Sequence, residues 1–127
     1  MDAVKKYLGS CHCKKVLFEF ISLVKVKLIE CNCTICKPSR YLHLIIVHEN
    51  FKLISNKKSI QIYQFGTKRA KHFFCKFCGT KSFYQPRSHK NAFSINYNSV
   101  ENPPEVSQII KFDGRNFEKN LNFIKSI

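Results

Sequence analysis

The sequence predicts a mainly β protein, an antiparallel assembly with metal sites at its turns. Two observations carry that prediction. Hydrophobic residues recur with a period of two along most of the chain. All seven cysteines fall in three short clusters, Cys11-His12-Cys13, Cys31-Asn32-Cys33-Thr34-Ile35-Cys36 and Cys75-Lys76-Phe77-Cys78-Gly79, set where the alternating segments end.

The elements follow in order. Val16, Phe18 and Phe20 alternate with Leu17, Glu19 and Ile21, and residues 23–30 set apolar residues against Lys25 and Lys27. The two segments read as a hairpin-like strand pair whose ends carry the first two clusters. Residues 42–47 read as a buried strand, and residues 59–65 as another, ended by Gly66. Residues 71–74 run into the third cluster and residues 81–85 leave it, which predicts a metal-tipped hairpin. Residues 92–97 and 108–112 are further strands, with Pro103-Pro104 enforcing an extended or turned segment between them. Phe117, Leu121 and Ile124 lie at helical spacing and predict one short amphipathic helix. With no internal repeat and no linker, residues 1–127 are expected to form a single zinc-binding domain.

Composition narrows the classes. A hydrophobic fraction of 44%, with twelve Phe and five Tyr, specifies a globular chain. No segment approaches the roughly 20 apolar residues of a membrane span; the best, residues 16–24, is broken by Glu19. The segment Met1-Asp2-Ala3-Val4-Lys5-Lys6 lacks a secretory apolar region. A cytoplasmic location is expected, with the nucleus also open and no membrane partner; thiols there stay reduced and free for metal. The net charge is +14, and residues 51–100 hold ten Lys or Arg and no acid. That excess permits anionic ligands or nucleic acid. Lys outnumbers Arg eighteen to four, however, and base readers rely on Arg.

The cysteine spacings point to zinc. On an extended strand Cys11 and Cys13 share a face, and Cys75-x-x-Cys78-Gly79 is a knuckle whose Gly79 suits a left-handed turn. Together these pairs make a four-cysteine site. Cys31-x-Cys33-x-x-Cys36 offers three further sulfurs. It either leaves a fourth position for water or a substrate thiol, or is closed by His12, His43, His48 or His72. No histidine stands out as a catalytic base. There is no phosphate loop or nucleophile elbow, and six Glu and two Asp are too scattered for paired-carboxylate chemistry.

The segments Gly9-Ser10-Cys11-His12-Cys13, Val16, Phe18-Glu19, Cys31-Asn32-Cys33-Thr34-Ile35-Cys36, Tyr63-Gln64-Phe65-Gly66-Thr67, His72-Phe73-Phe74-Cys75-Lys76-Phe77-Cys78-Gly79, Phe83, Pro86-Arg87-Ser88 and Asp113-Gly114-Arg115-Asn116-Phe117-Glu118 run in a recognisable order. In this the chain resembles the glutathione-dependent formaldehyde-activating enzyme family, which includes the centromere protein V relatives. The resemblance implies a β-tent of stacked antiparallel sheets with two zinc-thiolate sites. It implies a structural zinc on Cys11, Cys13, Cys75 and Cys78 and a catalytic zinc on Cys31, Cys33 and Cys36. The implied activity is that of a carbon–sulfur lyase, forming S-(hydroxymethyl)glutathione from formaldehyde and glutathione. Phe117 stands where relatives usually carry Trp, and Lys37-Pro38-Ser39-Arg40 departs from the usual basic pair and Gly. The rival expectations are a non-enzymatic basic zinc module binding nucleic acid or an anionic protein, and a scaffold with two closed zinc sites.

Overall fold

A computed structural model describes residues 3–126. Among these residues, ten strands form two sheets, accompanied by two short helices. The three-stranded sheet contains β1 (Val4–Ser10), β2 (Leu17–Leu23) and β5 (Phe51–Leu53), in the order β1-β2-β5. The seven-stranded sheet is built from β3 (Lys25–Cys31), β4 (Leu42–Val47), β6 (Ile60–Tyr63), β7 (Lys71–Cys75), β8 (Phe83–Gln85), β9 (Ala92–Asn96) and β10 (Glu105–Phe112). Its order is β10-β3-β4-β9-β8-β7-β6. Helix α1 is the single turn Cys36–Ser39, and α2 is Leu121–Ser126. Neither described helix is long and apolar enough to cross a membrane.

The period-two reading of residues 16–20 holds: Val16, Phe18 and Phe20 all point into the core. There Phe18 meets Phe51 at 5.2 Å and Phe83 at 5.3 Å between ring centroids, so an aromatic layer joins the sheets. Stacked and tilted ring contacts of this kind add to area burial by about 0.5–1.5 kcal/mol each.

The expected hairpin of residues 16–30 does not form. β2 and β3 belong to different sheets. Val24 is the crossing point: its N–H donates to Ala3 O beside the small sheet, and its C=O accepts from Glu105 N beside the large one. Each strand buries one face against the other sheet, so alternation alone could not distinguish partners from layers. β10 also pairs with β3 in parallel, in an otherwise antiparallel assembly, and its register sets Phe112 opposite Cys31. Two strands lie outside the sequence reading. β1 leaves Val4, Lys5 and Lys6 exposed, and β5 has three residues, so neither shows an extended pattern. The terminal helix is present. Ile124 packs with Ile29 and Phe112 on the outer face of the large sheet, beside Phe117 and Leu121.

Gly9 lies against the central Phe18. A Cβ there would fall 2.4 Å from the Phe18 ring, which is wholly buried and cannot retreat. Gly9→Ala should therefore cost about 1–3 kcal/mol of stability through overpacking, read as a lowered urea midpoint with unchanged slope. A wild-type midpoint would show that the aromatic layer can yield.

Candidate metal centres and the adjoining cleft

The first cluster assembles across the two sheets. Cys11 and Cys13 follow β1 of the small sheet, whereas Cys75 and Cys78 form the tip between β7 and β8 of the large one. Lys14 turns the chain back with φ 66°, and Gly79 does so at the knuckle with φ 75°, as its position after Cys78 predicts. Gly79 N donates to Cys75 O at 2.9 Å. Backbone N–H groups also aim at sulfur, from Val16 to Cys11 (3.3 Å) and from Phe77 to Cys75 (3.4 Å). The four Sγ atoms lie within 4.8 Å of one another, with Cys11–Cys13 at 3.7 Å and Cys13–Cys75 at 3.5 Å. A tetrahedron with Zn–S arms of about 2.3 Å has edges of about 3.8 Å, so these sulfurs fit a zinc ion.

The second cluster is local. Cys31 ends β3, Cys33 sits in the following turn and Cys36 opens α1. Cys36 N donates to Cys33 Sγ at 3.4 Å, and the three Sγ atoms lie within 4.8 Å of one another. The neighbouring sulfurs of Cys31 and Cys36 hold the Cys33 thiol down to about 2. Cys33 in turn pushes Cys31 up to about 11, and Cys31 and Cys33 together raise Cys36 strongly. Three sulfurs at this range ionise together only when a cation shares them. The set fits a soft divalent metal.

Among the described residues no His, Asp or Glu joins either cluster within that radius. The histidines considered as a fourth ligand are placed elsewhere. His43 Nδ1 lies 2.8 Å from Ser94 Oγ and 3.4 Å from Tyr84 OH. His48 Nε2 meets Gln85 Oε1 at 2.6 Å, His72 Nδ1 meets Lys81 Nζ at 2.8 Å, and His12 is exposed. Among the described residues the second cluster therefore offers three sulfurs and no fourth donor of these kinds.

The loop after β10 fixes this cluster from behind. Asn32 donates through Nδ2 to Asp113 Oδ1 (3.1 Å) and accepts from Arg115 N at 3.1 Å, while Arg115 Nε donates to Asn32 O at 3.0 Å. Gly114 is thereby pressed onto the ligands. A Cβ at that position would lie 2.3 Å from Cys31 Sγ and 3.0 Å from Cys33 Cβ. This is a steric demand for glycine, made by the sulfur.

A cleft of about 360 Å³ opens over the three sulfurs. Phe65, His72, Tyr84, Arg87 and Phe117 are among the residues that wall it. The volume is within the range of about 300–1,000 Å³ common for small-molecule sites. Arg87 is held in place by Glu118 (Nη2 to Oε1, 2.9 Å), and its guanidinium lies 3.6 Å from the Phe117 ring centroid. Phe117 thus gives Arg87 a cation–π contact.

Sequence reasoning missed Lys81. It is 7% exposed, with Nζ 3.9 Å from the Tyr84 ring centroid and 4.8 Å from that of Tyr41. Burial pushes its ammonium down to about 8, opposed by negative charge at Cys36, Cys33 and Cys31. As one of eighteen lysines it carries no sequence signal; only the fold encloses it.

Comparison with known proteins agrees with this architecture. A family model described as "Glutathione-dependent formaldehyde-activating enzyme" matches residues 6–112. A crystal structure of a Rhodobacter sphaeroides protein, a structural-genomics target, superposes with a TM-score of 0.70 at 27% identity. The match covers 80% of this chain and 98% of that one.

The two clusters should respond differently to ligand loss. Cys11→Ser or Cys78→Ser should abolish cooperative folding, because zinc binding on the order of 10 kcal/mol rivals the whole stability of a small domain. Cys33→Ser, and Gly114→Val through its collision with Cys31, should leave a folded chain whose metal content drops by one ion. Circular dichroism with elemental analysis separates the cases; a well-folded Cys78→Ser protein, or collapse of Cys33→Ser, would reverse the assignment.

Proposed function

The chain belongs to the glutathione-dependent formaldehyde-activating enzyme family, and from that premise we propose that it joins the thiol of glutathione to formaldehyde. The product is S-(hydroxymethyl)glutathione, and the reaction is that of a carbon–sulfur lyase run in the synthetic direction. The observation that supports this reading most is the set of three cysteine sulfurs under a cleft, with no fourth protein ligand among the described residues.

In this reading Cys31, Cys33 and Cys36 hold the catalytic zinc, and Cys11, Cys13, Cys75 and Cys78 a structural one. Bound at the former, zinc supplies Lewis-acid stabilisation of a thiolate, which makes a strong protein base unnecessary. The remaining work falls to the cleft. Phe65, Phe117 and Pro86 give it apolar walls that exclude water from the reacting atoms. Arg87 and Arg115 face it with guanidinium groups suited to the carboxylates of a tripeptide. Arg87 is braced by Glu118 and Phe117, so little side-chain freedom remains to be lost when a carboxylate docks.

The chemistry balances without a redox partner. The sulfur attacks the formaldehyde carbon, a C–S bond forms and the C=O π bond breaks. Its electron pair passes to oxygen, which takes up the equivalent of the proton lost by the thiol. A cytoplasmic pool of reduced glutathione is the setting that suits such an enzyme.

Calorimetric titration of the zinc-loaded protein with reduced glutathione, against S-methylglutathione as matched control, tests this directly. The free thiol should bind and the thioether should not. Equal binding of the two, or no binding of either, would remove thiol chemistry from the cleft and leave a salt-dependent anion binder as the reading to pursue.

A further inference from the structure

We infer that His72 is a fixed hydrogen-bond donor for the oxygen that becomes charged in the cleft, and that buried Lys81 is the residue that sets its tautomer. The inference rests on the thiol–formaldehyde reading of that cleft. It names a role for a pair that neither the cysteine chemistry nor the family match assigns.

His72 is clamped. Its ring stacks on Tyr84 at 4.8 Å with an interplanar angle of 12°, and on Phe65 at 5.5 Å with an angle of 21°. The two stacks fix the plane of the ring, and the Lys81 contact on Nδ1 fixes which edge it presents. Its Nδ1 faces inward to Lys81 Nζ at 2.8 Å. An ammonium has three donors and no acceptor, so Nδ1 must accept, and the ring proton of the neutral imidazole is then on Nε2.

Nε2 faces the other way. It has no hydrogen-bond partner among the described residues, yet it is not one of the sealed unpartnered ring nitrogens, which are His43 Nε2 and His89 Nε2. His72 is only 3% exposed and forms part of the cleft wall, so the access that Nε2 retains is through the cleft. A single N–H thus points into the space above Cys31, Cys33 and Cys36.

The electrostatics keep it a donor and prevent it from becoming an acid. Burial, then the Lys81 charge, push the His72 imidazolium down to about 4 against the opposing pull of negative charge at Cys33. When sulfur adds to formaldehyde, the carbonyl oxygen gains a full charge in a site with apolar walls. A preorganised N–H at that place stabilises the charge without any rearrangement. His72 keeps its own proton, and the proton that completes the hydroxyl is the one released from the thiol. Lys81 touches neither reactant and acts as a positioning residue.

Two independent measurements decide the matter. Long-range ¹H–¹⁵N correlation spectra of the zinc-loaded wild type at neutral pH should show His72 as the neutral Nε2–H tautomer, and Lys81→Met should release it to a mixture. An Nδ1–H tautomer or an imidazolium in the wild type overturns the inference with no appeal to activity. The second measurement is the exchange rate between free formaldehyde hydrate and its glutathione adduct, followed by NMR alongside calorimetric glutathione affinity. His72→Phe, which keeps the aromatic stack, should bind glutathione within about twofold of wild type while exchange slows at least about tenfold. His72→Gln restores a donor and should recover part of the rate. Wild-type exchange in His72→Phe, with glutathione still bound, overturns the inference alone. Failure of the wild type to bind glutathione overturns the functional reading beneath it.

Discussion

Four sulfurs, contributed in pairs by two different sheets, form the constraint on which the rest of this structure depends. Cys11 and Cys13 follow the first strand of the small sheet, and Cys75 and Cys78 lie at the tip of a hairpin of the large one. Their convergence within 4.8 Å sets a metal-sized site across one corner of the sandwich. Phe18, Phe51 and Phe83 fill the space between the layers next to that corner. A chain of 127 residues buries a limited core, and a metal held at such a cross-sheet site would fix the layer spacing that hydrophobic packing alone specifies loosely.

With the layers fixed, the large sheet can carry a site at its edge. β3 delivers Cys31, the turn after it delivers Cys33 and Cys36, and β10 arrives alongside in parallel so that its outgoing loop closes over them. Asn32 serves both sides of that closure through its side chain and its carbonyl. Two adjacent strands supply the opposite wall: β7 gives His72 and β8 gives Tyr84, on ladder positions opposite each other. The cleft therefore combines one wall made of loops with one made of paired strands.

Much of this was legible in the sequence, and the failures have physical causes. Cysteine spacing reports metal geometry directly, so the four-plus-three division could be read without coordinates. Period-two alternation reports that one face is buried, and so it located β2 and β3, while β4 was read from its apolar run. It does not report what lies against that face, which is why β2 and β3 were expected to pair. Short or exposed strands such as β1 and β5 bury too few side chains to leave a pattern. Lys81 was invisible for a different reason. A buried ammonium among aromatic rings is unusual for lysine, and residues 81–84 are all buried, so no alternation marks the position. Gly114 was legible only as part of a motif; its reason, contact with Cys31 Sγ, is a tertiary one.

The parallel pairing of β10 with β3 also sets a timetable. The contact between Asn32 and Asp113 spans 81 residues of chain, and everything between them must be synthesised before it can close. A nascent polypeptide therefore exposes Cys31, Cys33 and Cys36 long before Gly114 and Arg115 exist to cover them. The joint between the sheets needs nothing beyond Cys78. During translation, the four sulfurs of the cross-sheet site are all present while the pocket over the other three is still one wall short.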